Sequence, residues 1–346
     1  MRKGLLISVT LGAVLIAASP GTAVATPRAR GLTHRIVSIA LPINPAREYP
    51  VAEYAAFGSV WVLVQGITSR LERINPRTNR VTGSMSLGYG EASGNDQARG
   101  TIAAAGGSLW VPEFFYNTVL RINPSRMVIT RHVRVGRSPT SVVAATGAVF
   151  VSDWHGEKVV RIDPRTNRVV ASIPVGDPND FSGGPFYLTY TARHVWASLP
   201  DAARLVEIDP TSNRVIAHHS DAPAYNCGRL APAPGAMWID DSDCSNNFSR
   251  YDEQTNRITK TVTIPFATCL LGMAVFHGYL WTAKSVRQPS GDCTSGALVR
   301  RNLRTGAVLG RIRVGVGAFE VFRIGRSLWT NYFTDRVLRV IIGEAS

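Results

Sequence analysis

The stretch Val149-Phe150-Val151-Ser152-Asp153 is followed, after five residues, by Val159-Val160-Arg161-Ile162-Asp163-Pro164-Arg165-Thr166-Asn167-Arg168-Val169-Val170-Ala171-Ser172-Ile173-Pro174-Val175-Gly176. At its centre is a turn with a defined chemistry. Asp163 can bond the backbone ahead of it, Pro164 pre-sets φ at the first central position, and Asn167 tolerates the left-handed conformation that closes a hairpin. Beyond the turn, Val169, Ala171 and Ile173 alternate with Arg168, Val170 and Ser172, as in a strand with one packed face. The segment predicts four strands: Thr140 to Ala145, Ala148 to Asp153, Lys158 to Ile162 and Arg168 to Val175.

The same unit recurs along the chain. Its turn is repeated in full at Arg73-Ile74-Asn75-Pro76-Arg77-Thr78-Asn79-Arg80. Less complete copies stand at Arg121-Ile122-Asn123-Pro124, Glu207-Ile208-Asp209-Pro210, Tyr251-Asp252 with Thr255-Asn256-Arg257, and Asn302-Leu303-Arg304-Thr305-Gly306. An aromatic marks each unit: Trp61, Trp110, Phe150, Trp196, Trp238, Trp281 and Trp329, spaced by 49, 40, 46, 42, 43 and 48 residues. Self-similarity at this period is the mark of propeller blades, and helical periodicity is absent throughout. The fold expected is all-β, a seven-bladed β-propeller of four-stranded antiparallel blades. After Trp329 there is room for a third strand, Arg336 to Ile341, and none for a fourth. Thr33-His34-Arg35-Ile36-Val37-Ser38-Ile39 aligns with Thr166 to Ser172 as a fourth strand lacking its first three, so the N-terminal strand is expected to complete the last blade and hide its edge.

Those residues, from Val149 to Gly176, resemble the YVTN-type propeller repeat, and residues 32 to 342 as a whole resemble the broader group that includes the virginiamycin B (streptogramin) lyases. The resemblance implies the propeller fold. In those lyases it also implies a His and a nearby Glu with magnesium on one face, the imidazole acting as base in a ring-opening elimination. Here the strands leading into blades 5, 6 and 7 (Cys227 to Ala231, Cys269 to Met273, Gly317 to Val321) contain no His, and Glu320 alone resembles the acidic partner.

Composition bounds the rest. The 346 residues, 45% of them apolar, with four Cys, exclude a disordered, collagenous or disulfide-scaffolded chain. Arg2 and Lys3, an apolar run from Gly4 to Ala18 and the triplet Ala23-Val24-Ala25 have the order of a secretory signal peptide. Cleavage after Ala25 is expected, leaving residues 26–346 as one propeller domain of 321 residues, secreted or extracytoplasmic, without lipid anchor or membrane span, and monomeric. The protein is basic, with a formal charge of +14 for the whole chain. The turns between third and fourth strands, with Arg77, Arg80, Arg126, Arg165, Arg168, Arg214, Arg257 and Arg304, are expected to make a basic back suited to an anionic cell-envelope polymer. An exported protein without a binding motif for nucleic acid is not expected to bind it.

A propeller site is expected at the front, where loops lead into the innermost strands and leave the second strands. The second-strand exits, three residues after each aromatic, are Val64, Glu113, Asp153, Leu199, Asp241, Lys284 and Tyr332. With Trp154 and His155, five of these form the expected binding set: Glu113, Asp153, Asp241, Lys284 and Tyr332. Asp153-Trp154-His155 joins an acid, an apolar wall and an imidazole, an acid/base arrangement to which Glu113 could contribute, although neighbours in a strand point to opposite sides. Of the seven His, His34, His132, His194, His218 and His277 fall on outer strands or the back, leaving His155 and His219. No cofactor is required; Mg or Ca is the cation that Asp240, Asp241 and Asp243 would take. Cys227 and Cys269 occupy equivalent positions leading into blades 5 and 6, and Cys244 and Cys293 follow the aromatics of the same blades. Bridges Cys227–Cys244 and Cys269–Cys293 are expected, out of three connectivities. The function expected is a secreted binding or scaffold propeller gripping a small molecule, glycan or extracellular protein. The alternative is a virginiamycin B lyase-like enzyme, a ring-opening lyase or lactone hydrolase, built around Glu113, Asp153 and His155.

Overall fold

The structure is a computed structural model that describes residues 33–66, 68–89, 101–176, 184–191, 193–202, 204–219, 229–241, 247–264, 268–269, 272–287, 293–315, 318, 320–331 and 334–343. The expected signal segment lies outside the described residues. The rest forms seven antiparallel sheets, one per repeat, arranged as a β-propeller. Blade 3 consists of Pro139–Ala145, Ala148–Asp153, Lys158–Asp163 and Arg168–Pro174, within a residue or two of the sequence reading. Blade 7 takes three strands from the C-terminal end, Glu320–Ile324, Ser327–Asn331 and Arg336–Gly343, and its fourth from the N-terminal end. That fourth strand, Thr33–Ala40, pairs without a break from Thr33 opposite Gly343 to Ala40 opposite Arg336. No α-helix occurs among the described residues, and no helix there is long and apolar enough to cross a membrane.

The Asx turns have the geometry their residues require. Asn75 Oδ1 accepts from Arg77 N at 2.8 Å, Asp163 Oδ1 from Arg165 N at 2.8 Å, and Asp209 Oδ1 from Thr211 N at 2.8 Å. The closing residue is left-handed in each of these turns: Asn79 at φ 55, Asn167 at φ 60 and Asn213 at φ 58. These backbone donors hold the Asp163 and Asp252 carboxyls below the usual carboxylate range; at Asp209 the Ser212 hydroxyl contributes most.

The core is divided among the seven seams between neighbouring blades, each with its own apolar cluster. The six Trp of the repeat are buried, each 1% exposed or less, and Phe150 replaces the seventh. Trp61 and Trp110 satisfy their indole N–H internally, donating to Ala56 O and Ala105 O, both at 3.1 Å. Opposite the aromatic, the third strand carries Arg73, Arg121, Arg161, Arg250, Arg300 or Arg339. The guanidinium of Arg121 lies 5.5 Å from the Trp110 ring centre and donates to Asn167 Oδ1 at 2.7 Å, in the turn of the next blade. Arg339 does the same over Trp329, donating to Asn79 Oδ1 at 2.8 Å and so joining blade 7 to blade 1. Part of the arginine excess is therefore spent inside the seams, while the turn arginines from Arg77 to Arg304 are exposed at the back. Blade 4 departs from the pattern: Glu207 faces Trp196 and pairs with His194 and, at 3.7 Å, with His219, whose Nδ1 is 2.8 Å from the Tyr251 hydroxyl of blade 5.

Deleting residues 33–40 removes the eight-residue ladder that closes blade 7. The expected result is loss of cooperative thermal unfolding together with concentration-dependent association through the bared edge, read by calorimetry and light scattering. The depressed Asp163, Asp209 and Asp252 carboxyls contribute stability above the unfolded-state value of about 3.9, and that contribution is lost as pH falls through their lower folded values. Replacing all three by Asn, which stands natively at 75, 123 and 302, is expected to flatten the fall of Tm with pH below about 4.

Candidate functional site

At the front, the second strand of blade 2 ends at Glu113 and runs into Phe114-Phe115-Tyr116, and that of blade 3 ends at Asp153 and runs into Trp154-His155. The connection from blade 2 to blade 3 ties the two loops, Ser138 N donating to Asn117 Oδ1 at 2.9 Å and Ser138 O accepting from Trp154 N at 3.3 Å. Their rings meet. Phe114 lies 5.9 Å from Trp154 and 6.2 Å from His155, Trp154 stacks on His155 at 4.5 Å, and Trp154 meets Phe186 edge-on at 5.3 Å. Phe186 leads into the innermost strand of blade 4, whose approach needs Gly184: a Cβ there would stand 2.0 Å from Trp154 O. The result is an aromatic cluster across blades 2 to 4, buried at Phe186 and open at Phe115 and Tyr116, which are 52% and 55% exposed.

Beside it, a cavity of about 60 Å³ opens at the front end of the seam between blades 1 and 2. Val51, Leu63, Leu87, Val111 and Leu120 line its interior, with Phe114, Phe115 and Tyr116 as a wall and Gln65, Ser69, Glu113 and Thr140 as its polar residues. A second cavity, about 180 Å³, occupies the central channel between innermost strands and is lined mainly by apolar residues, with Thr101 and Glu320.

The three residues expected to form an acid/base set are held apart by separate partners. Glu113 accepts from the Thr118 hydroxyl and pairs with His132 Nδ1 at 3.0 Å. Asp153 is buried, accepts from Arg137 N at 2.6 Å and faces Lys158 Nζ at 3.5 Å. Burial pushes its carboxyl above the usual range, against the pull of Arg137 N–H and Lys158. His155 is exposed and its Nδ1 meets the Ser138 hydroxyl at 2.7 Å. Asp153 thus anchors the loop beneath the aromatic surface and does not orient the imidazole. The histidine that does meet a front carboxylate is His132, on the outer strand Val128–Arg134, which the sequence reading set aside.

Lys284 also differs from expectation. The second strand of blade 6 continues to Arg287, because it pairs onward with the third strand from Val286 opposite Thr294 to Arg287 opposite Cys293. Lys284 therefore lies within the ladder, its ammonium shifted below the usual range by burial and by Arg311 and Arg301. Val64, likewise, is a buried core residue, one short of the strand end at Gln65. Asp240 is a ladder residue opposite Phe248, 1% exposed, and Asp241 ends the same strand. Tyr332, Asp243, Cys227, Cys244 and the side chains of Asp241, Cys269 and Cys293 lie outside the described residues. Backbone register places Cys269 opposite Ser285 on one side of the second strand and Cys293 opposite Arg287 on its other side. Among the described residues no group of three His, Cys, Asp or Glu is arranged to hold a metal ion.

Sequence reasoning missed Phe114, Phe115, Tyr116, Phe186, Gln65 and His132. A readable signal existed for the first three, since consecutive aromatics directly after a strand exit have no ladder to pack in. For Gln65 and His132 the position depends on register across strands.

No family model matches the chain, and no curated protein matches it. Solved structures do. Virginiamycin B lyase from Staphylococcus aureus superposes with TM-score 0.67 at 14% identity, over 89% of this chain and 99% of the other. BamB from Moraxella catarrhalis gives 0.63 at 11%, over 90% and 100%. Hydrazine synthase of Kuenenia stuttgartiensis gives 0.65 at 16%, over 95% and 99%. At these identities the likeness is one of fold, and proteins of different roles share it.

The tightness of the Asp153 anchor is testable. Gly136, at φ 151, has space for no side chain: a Cβ would stand 1.8 Å from Asp153 Oδ2. Gly136→Ala is expected to lower stability by about 1–3 kcal/mol, seen as a lower urea midpoint at constant m, and Asp153→Ser in the same chain is expected to recover part of it.

Proposed function

We propose that this protein is an extracytoplasmic binding propeller whose ligand site is the aromatic surface and adjoining pocket at the front of blades 1 to 4. The observation that carries the reading is the exposure of Phe115 and Tyr116 beside an apolar cavity with few polar groups. Large exposed rings on a rim that could have been polar are characteristic of recognition surfaces. The separate partners of Glu113, Asp153 and His155 support binding over the acid/base alternative, since none of the three is placed to pass a proton to another. The exposed arginines of the back remain free on this reading for an anionic envelope polymer. The amino-terminal address motif supports an extracytoplasmic setting.

Saturation-transfer NMR with a panel of neutral sugars, aromatic amides and acylated peptides tests it. Binders that compete for one site are expected, with affinity lowered at least about tenfold by Phe115→Ser with Tyr116→Ser while Tm stays unchanged. A panel without a binder would sink the reading, as would robust metal-dependent turnover of a lactone or depsipeptide by the purified chain.

A further inference from the structure

The pocket between blades 1 and 2 contains one feature that packing does not explain. Gln65 ends the second strand of blade 1, is 9% exposed and lines the cavity, yet its side chain makes no hydrogen bond with any described residue. The Gln65 amide is not among the sealed polar atoms of the described residues, so it faces the water of the cavity and is committed to no protein partner. Its two N–H donors and its carbonyl are the complement of a second amide, which has one of each. Ser69, on the same wall, offers a hydroxyl.

Size and charge narrow the choice of occupant. At about 60 Å³ the cavity admits a group of a few heavy atoms, and the aliphatic side chains of Val51, Leu63 and Val111 make its lining largely apolar. The nearby carboxylate of Glu113 is taken by Thr118 and by His132 at 3.0 Å, so the pocket has no uncommitted charge to meet an ion. At the mouth, Phe115 and Tyr116 are exposed, offering ring surface suited to a flat ring bearing C–H groups. A small methyl, an amide beside it and a neutral ring with an apolar face occur together in an N-acetylated amino sugar.

We propose that this pocket receives the acetamido group of a neutral N-acetylhexosamine. The methyl enters the aliphatic end, the amide pairs with Gln65, and the sugar ring lies on Phe115 and Tyr116. The assignment rests on the binding reading above and names its ligand class.

The test is titration of the full mature chain with the tetramer of N-acetylglucosamine, with a glucose tetramer of the same linkage, and with an acetylated dipeptide amide. The expected result is saturable binding of the first and binding weaker by at least about tenfold for the second, which has a hydroxyl in place of the acetamido group. Gln65→Leu is expected to weaken the first by at least about tenfold while Tm is unchanged, since the amide makes no hydrogen bond within the described protein. A merely structural Gln65 would lower Tm instead. Equal affinity for the two sugars, preference for the dipeptide amide, or indifference to Gln65→Leu overturns the proposal. If none of these three binds but other members of the neutral panel still compete at the site, the ligand class falls and the binding reading stands. If no panel member binds either, both fall.

Discussion

The seam between one blade and the next is the constraint on which this molecule depends. A twisted four-stranded sheet buries its faces only against a neighbour, so every blade must meet two others. Here the meeting is organised by a buried aromatic on the second strand, an arginine opposite it on the third, and the Asx turn of the following blade. The arginine serves both sides at once. At Arg121 and Arg339 its flat face lies over the Trp ring and its edge donates to the Asn that closes the next turn. A lysine could not do both, which gives a physical reason for Arg at these two positions; Arg stands opposite the aromatic in six of the seven blades. Blade 4 solves the same problem differently, with Glu207 between His194 and His219.

Because the seams hold the ring, the front loops are free to differ from blade to blade. Those of blades 2 and 3 are aromatic and tied to each other through Asn117 and Asp153, whereas the second strand of blade 6 simply continues to Arg287. The buried Asp153 is the hinge of this local arrangement. It holds the Arg137 amide and Lys158, and Trp154 and His155 follow it directly in the chain. A rigid base under exposed rings is what a recognition surface requires, since rings already fixed lose little freedom when a ligand covers them.

How far this was legible from residues alone follows from the range of each signal. The turn Asp163-Pro164-Arg165-Thr166-Asn167 specifies its own hairpin, because Asx acceptor, fixed φ and left-handed closure are local chemistry. Repeated every 40 to 49 residues with one buried aromatic per unit, it determined the seven blades, their four strands and the closure of the last blade by residues 33–40. The site obeyed a different rule. Adjacency suggested Asp153 with His155, yet the strand ends at Asp153 and the chain turns through the short 3-10 helix Trp154–Gly156, which leaves Asp153 buried and His155 exposed. Counting three residues past each aromatic found Glu113 and Asp153 but misplaced Lys284, because hairpin length in blade 6 is set by cross-strand pairing. The sequence by itself therefore determined the architecture, whose rules act over a few residues and recur. Only the tertiary structure decided that His132 meets Glu113, that Gln65 lines an apolar cavity, and that rings from three blades meet in one cluster. Those are contacts between strands or blades, and no spacing along the chain encodes them.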